Sequence, residues 1–323
     1  MNSIRVFASK ELLDLRRNKV VWVLTACLAV AVLISVVVAS LDFRAQLADY
    51  HLYVSQLKAT GSAVIPAAPQ LFPLQLLRGG IEYIEIIGAL FAVVIGYGTI
   101  ARERSRGTMN LIFTRDTSRV AFAGGKLMGI GVFWAVMVGA IIAVAAASVA
   151  VVGTASLTGG DAFKLLIAGV VSWVYLMFWS AITAGLTALV RRTSSALILA
   201  LGLWLLVVLI VPQIGDTMDP DNQVPGGLFK ALVIQKPDEV AVLAHFAFYE
   251  SARNALEVTS VSKLFERIAF AFLGIKDKYN QQGFGLLWHA MYRYSWSILA
   301  MTVSSTGFAI AASTRNNLLR KAS

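Results

Sequence analysis

Residues 20–41 read VVWVLTACLAVAVLISVVVASL, a run of 22 positions with no charge, proline or glycine. A helix rises about 1.5 Å per residue, so the run reaches about 33 Å, enough to cross a hydrocarbon core of about 30 Å. In lipid every backbone N–H and C=O has to be paired within the structure, which favours a helix over an open strand. Five more such stretches follow at 81–101, 127–152, 163–190, 195–213 and 286–312. The six occupy 143 of 323 residues, 44% of the chain. A membrane barrel would show weak alternation in segments of about ten residues, and that pattern is absent. The predicted fold class is all-α: a polytopic membrane protein with six transmembrane helices.

Composition agrees. The chain is 58% hydrophobic and 14% charged, with a mean hydropathy of +0.72. A soluble domain carries about 25% charged residues, and a disordered chain has low hydrophobicity. One cysteine, Cys27, excludes an intrachain disulfide framework and reads as inert filler within the first span. The apolar run of the first span and its 19-residue preface are both longer than a secretory signal's, so this segment is expected to be retained. Trp22, Tyr83 and Trp288 sit near span ends, where aromatic anchors are expected.

Charge sets the orientation. With the N-terminus inside, segments 1–19, 102–126, 191–194 and 313–323 hold 16 basic and four acidic residues, net +12. The other side holds 12 basic and 14 acidic residues, net −2. The positive-inside rule places both termini in the cytoplasm and the protein in the cell (plasma or inner) membrane as a multi-pass chain. The overall +10 thus records topology and says nothing for nucleic acid.

The first 19 residues carry a second pattern. On a helical wheel Ile4, Phe7, Ala8, Leu12 and Leu15 share one arc with Glu11 as the one intruder, and Arg5, Ser9, Lys10, Arg16 and Arg17 occupy the rest. This predicts an amphipathic helix along the inner leaflet, against the plainer reading of a positive flank. The 102–126 link opens ARERSRGTMNLIFTR from Ala101. Its alternating charges, Arg102, Glu103, Arg104 and Arg106, end at Gly107. Thr108 is expected to cap a short helix whose apolar body is Leu111, Ile112 and Phe113, followed by Arg115. Two readings stand for this link: a helix that docks into a cytoplasmic partner, or a basic turn that only fixes topology.

Outside, 42–80 contains Pro66, Pro69 and Pro73, although Asp42 to Leu57 has the helix formers to continue the first span. Segment 214–285 opens with turn residues including Asp216, Asp219, Pro220 and Gly226. Helices are then predicted over 237–256 and 261–273, the second with an apolar stripe suited to the outer membrane surface. This segment is the size of a cap or lid rather than a domain. Gly88, Ala92 and Gly96, Gly125 and Gly129, and Ala184 and Ala188 supply the small-residue spacing that lets helices approach closely. No internal repeat is evident.

Chemistry is scarce. His51, His245 and His289 are scattered, so no metal site is predicted. Gly124-Gly125-Lys126 comes nearest to a phosphate loop, but Val120 stands at the leading glycine position and Leu127 replaces the hydroxyl. If nucleotide is used, another chain binds it. Arg78 and Glu82, spaced i, i+4, can pair, and with Glu85 and Arg293 they form a candidate outer vestibule, although a depth of one turn suits a lid or headgroup contact at least as well. No carboxylate lies at a span midplane, which counts against a proton-coupled transporter or a channel with a charged filter.

A basic amphipathic lead-in, six spans, the Ala101–Thr108 run and a large segment between spans five and six resemble the ABC-2 type permease family. Similar chains serve bacterial and archaeal exporters, including those that assist maturation of the nitrous oxide reductase copper site. The resemblance implies no catalytic site, metal or cofactor in this chain. It implies a complex of two permease chains, the same or homologous, with two soluble ATPase subunits that bind ATP and Mg. The surfaces receiving the ATPase would be Ile4–Arg17, including Ile4, Phe7 and Leu15, and Arg102–Arg115. In that second surface Glu103, Arg104 and Arg106 would be contacts or braces, Gly107 would allow the turn and Thr108 would cap. The outer helices over 237–273 would gate the exit. Segments 42–80 and 214–285 are longer than in many members, which leaves the substrate open among lipid, polysaccharide, antibiotic, peptide and metallocentre-maturation factor. The alternative function is a membrane anchor, assembly or force-transmitting subunit that binds an ATPase without transporting.

Overall fold

A computed structural model describes residues 3–59, 72–114, 117–151, 157–219, 227–234 and 236–319. Regular structure in the described residues is helical throughout. Helix α1 (Ser3–Arg17) leads into α2 (Lys19–Ala59), with only Asn18 between them. The Asn18 side chain accepts from the Val20 N–H at 3.0 Å, a capping bond, while Trp22 Nε1 donates to the Arg16 carbonyl at 2.7 Å. The corner is fastened on both sides. Helix α2 runs past Leu41 because 19–59 holds no glycine or proline to stop it.

The next helices are α3 (Pro73–Ser105), α4 (Thr108–Ile112), α5 (Val120–Ala150), α6 (Gly159–Leu189) and α7 (Thr193–Thr217). Beyond them lie α8 (Lys236–His245), α9 (Ala247–Thr259), α10 (Val261–Phe272), α11 (Phe284–Ala312) and α12 (Arg315–Leu319). Among the described residues six helices, α2, α3, α5, α6, α7 and α11, are long and apolar enough to cross a membrane. The protein is an all-α, multi-pass membrane protein. Helix α3 starts at Pro73, eight residues before the predicted span, in a 3-10 turn with proline in its first turn. Single π-helical turns interrupt α3 at Ile84–Gly88 and α7 at Leu205–Ile210, and another opens α5 at Val120–Gly124.

Helix α6 is the hub. Its apolar window is 67% buried, against 22% for α2 and 17% for α7, and it packs on α3, α5 and α11. A reciprocal capping box between Thr158 and Asp161 starts it. Gly96 lets α3 lie against the α6 backbone, since a Cβ there would fall 2.2 Å from the Ser180 carbonyl oxygen. Ser180 then ties three helices, accepting from Trp134 Nε1 at 2.9 Å and donating to the Ala92 carbonyl at 3.3 Å. The outward faces of α2, with Val23, Ile34 and Val38 exposed, are left for lipid.

The segment between α7 and α11 differs from expectation twice. The helix predicted over 237–256 is broken at Phe246 into α8 and α9. Helix α10 does not rest on a membrane surface. Its Leu264, Phe265 and Ile268 are 0% exposed, and Phe265 stacks on Tyr175 of α6 at 4.6 Å. Its apolar face packs inside the protein, while Lys263, Glu266 and Arg267 on the other face make ion pairs. Segments 60–71 and 220–226, with Pro66, Pro69, Pro220 and Gly226, lie outside the described residues.

Candidate coupling site

The end of the bundle that carries α1 and α4 is built around charge taken out of water. Glu11 is 0% exposed. One of its oxygens accepts from Arg102 at 2.7 Å and Thr99 at 2.9 Å, and the other accepts from Lys126 at 2.6 Å. Glu103, 3% exposed, accepts from Lys10 at 2.5 Å, from Lys126 at 3.2 Å and from the Thr108 hydroxyl. Two carboxylates and three cations thus connect α1, α3, α4 and α5. Isolated charges would be costly to bury here, and complete pairing is what offsets the lost hydration.

The sequence places these groups by close backbone approach. Gly125 and Gly129 face α1, where added Cβ atoms would lie 2.7 Å from the carbonyl oxygens of Ile4 and Ala8 respectively. Without side chains at those positions α1 settles onto α5, and Glu11 reaches Lys126. The apolar arc of α1 therefore turns toward protein. Leu15 is 0% exposed, Ile4 and Phe7 are half-buried, and the Phe7 ring meets Phe122 edge-on at 5.5 Å. The exposed apolar residues of α1 are Val6 and Leu13, at 47% and 50%.

The link between α3 and α5 divides into braces and a presented face. Arg104 donates to the carbonyls of Val190 at 2.7 Å, Ala188 at 2.9 Å and Asn317 at 2.9 Å, closing the end of α6 onto α12. Arg106 lies 3.8 Å from Asp14 of α1. Gly107 adopts φ +67°, the left-handed turn that glycine favours, and is itself the residue before α4. Thr108 is not the cap. It is the first helical residue, and its hydroxyl is turned back to the Glu103 carboxylate, which has no other neutral donor. Phe113 is buried at 6% against Phe122, whereas Leu111 stands 71% exposed. Arg115 lies outside the described residues.

At the opposite end Arg78 and Glu82 pair at 3.0 Å on the surface, with Arg78 also over the Phe270 ring at 5.8 Å. Glu85 is 7% exposed and accepts from Ser262 of α10. Arg293 is exposed on α11 and bonds the Tyr292 hydroxyl at 3.2 Å. Arg78, Glu82 and Glu85 therefore belong to the α3–α10 contact, and Arg293 is held by its own helix. Nearby, a cleft of about 310 Å³ is lined by ion pairs. In it Arg253 meets Asp219 at 2.6 Å, Arg267 meets Glu257, and Lys263 meets Glu266 at 2.7 Å. Burial pulls the Lys263 ammonium down, but Glu266 and Asp216 outweigh it and hold its pKa above the usual lysine value.

Sequence reasoning missed Glu11, Lys10, Thr99 and Lys126 as partners. A signal existed: a carboxylate inside an apolar arc and a lysine opening an apolar span each needed a buried counter-charge. Among the described residues no three His, Cys, Asp or Glu side chains gather as metal ligands would.

Six candidate spans and a lead-in helix pinned by a buried ionic core define a polytopic membrane protein. The chain belongs to the ABC-2 transporter family: residues 5–314 match the family described as ABC-2 family transporter protein. It is similar to the probable ABC transporter permease protein NosY of Stutzerimonas stutzeri, 26% identical over 267 residues that cover 81% of this chain and 87% of that protein. Permeases of this class pair with an ATPase subunit.

Proposed function

We propose that this chain is the membrane subunit of an ATP-driven exporter, paired with a second permease chain and two copies of a soluble ATPase. The carrying observation is α4, which presents Leu111 at 71% exposure on a base pinned to α1, α3 and α5 by the Glu11–Glu103 ionic core. A partner pressing on Leu111 and Asn110 would move α1 and the two membrane helices α3 and α5 together, because buried ion pairs are stiff and costly to break. Beside α4 a groove of about 460 Å³, lined by Arg104, Asn110, Arg191 and Leu318, offers space for a partner segment. Val6 and Leu13 of α1 extend the receiving surface. In this reading Phe113, Leu15, Phe7 and Glu103 shape the face from beneath and do not touch the partner.

The charge asymmetry supports placing this end, and both termini, in the cytoplasm of a cell membrane. Helices α8 to α10 then form the outer lid, with Glu85–Ser262 and the ionic cleft as its seat. No catalytic group is assigned to the chain, and ATP and Mg belong to the ATPase. The test is reconstitution of the complex in vesicles. Substrate-stimulated ATP hydrolysis with net movement of substrate is expected. Hydrolysis coupled to no movement would favour an anchor or force-transmitting subunit. Activity without any nucleotide-binding subunit would sink both readings.

A further inference from the structure

Between α5 and α11, on the flank of α6, lies an open apolar groove of about 580 Å³. Its wall residues Met128, Val132 and Val303 are 51%, 43% and 62% exposed. The floor includes Trp173, whose Nε1 is already donated to the Gly131 carbonyl at 2.8 Å, so the groove is offered little but ring and aliphatic surface. It lies within three membrane spans, where an aqueous ligand has no access.

A second recess lies just before α5 begins and just after α11 ends, on the α4 side. It has a volume of about 790 Å³ and is lined by Phe113, Thr114, Thr117, Arg119, Ser313, Thr314 and Arg315. Arg119 and Arg315 are both exposed there, and among the described lining residues all the charge is positive. Groove and recess are stacked along one line. Arg119 of the recess and Gly124 of the groove bracket the single π turn that opens α5. On the α11 side Thr306 and Ser313 lie seven residues apart, about 10 Å along the axis. A cationic, hydroxyl-rich mouth at a span end, opening onto an apolar channel within the membrane, has the polarity profile of one kind of ligand. Basic pockets between transmembrane helices take anionic lipid headgroups.

We infer that this surface binds one anionic phospholipid, its phosphate between Arg119 and Arg315 and one acyl chain along the α5–α11 groove. The site borders the ATPase surface through Phe113 but needs neither Leu111 nor the ionic core. It adds a resident lipid to the α5–α6–α11 contact and makes that contact sensitive to membrane charge.

The experiment is native mass spectrometry of the full-length protein in detergent, titrated with phosphatidylglycerol and with phosphatidylcholine of the same chain lengths. One tightly held phosphatidylglycerol is expected, with each arginine contributing about fivefold to the preference over phosphatidylcholine. Arg119→Ala with Arg315→Ala should abolish that preference, both residues being exposed and dispensable for packing. Ala135→Phe with Val303→Phe, which fill the groove from exposed positions, should weaken retention of both lipids. Circular dichroism and elution volume verify that the variants are folded. Three results would overturn the inference. The arginine variant keeps the preference; or inorganic phosphate displaces the ligand while the filled groove has no effect, leaving a simple anion site. The third is disulfide cross-linking of Val303→Cys chains in membranes, which would assign the groove to a second copy.

Discussion

Glu11 divides its two oxygens between cations from different helices, Arg102 of α3 and Lys126 of α5, and only Arg102, whose side chain is 21% exposed, has a route to water. Replacing it by Gln keeps the shape and leaves the buried Lys126 with Glu103, itself shared with Lys10, as its remaining counter-charge. The expected loss for Glu11→Gln is about 3–5 kcal/mol, read as a lowered thermal midpoint in detergent. Adding Lys126→Met to that variant removes the buried charge that lost its partner and should recover part of the loss. Gly96→Val has a different cause. Its Cβ meets the Ser180 backbone, which has no rotamer to yield, so aggregated or proteolysed protein is expected on size-exclusion chromatography. The wheel marked Glu11 as an intruder, and that was as far as sequence reached. Its partners are 88, 91 and 115 positions away, and no local pattern encodes such pairings.

Helix α4 is short, yet its Leu111 and the Phe113 that follows it have opposite fates. Leu111→Glu should weaken capture of the ATPase by about tenfold or more in a pull-down, with membrane insertion and thermal midpoint unchanged. Phe113→Glu should lower the midpoint itself, because that ring sits against Phe122. If both variants behaved alike, the division of α4 into presented and supporting residues would fail. The charged run and the glycine turn were legible because local chemistry sets them, and the helix start was legible to within one residue. Which of two neighbouring apolar residues points outward was not, since five helical residues give too few turns to define a face. Helix α10 teaches the same lesson at greater length. Its stripe announced that something covers it, but a stripe does not name its cover, and Tyr175 of α6 lies 90 positions upstream of Phe265.

The six spans were readable because their criterion is length of apolar chain, which the bilayer thickness fixes without reference to any neighbour. Their packing order around α6 was not, because lipid and protein surfaces are equally apolar and both accept the same residues. The charge asymmetry yields a test of the whole molecule. In a Cys27→Ser background an impermeant maleimide added to intact cells should label Gln281→Cys, between the lid and α11, and spare Ser9→Cys until the membrane is opened. The reverse pattern would invert the proposed orientation. One further consequence follows from the corner at Asn18. Helix α2 has 41 residues and is about 61 Å long, about twice the hydrocarbon core, whereas the 15-residue α1 measures about 22 Å. Fastened by Asn18 and Trp22, the two form a bell crank with unequal arms. A nod of about 5° in the short arm, carried round the corner, would sweep the far tip of the long arm through about 5 Å, so the geometry trades force at one face for travel at the other.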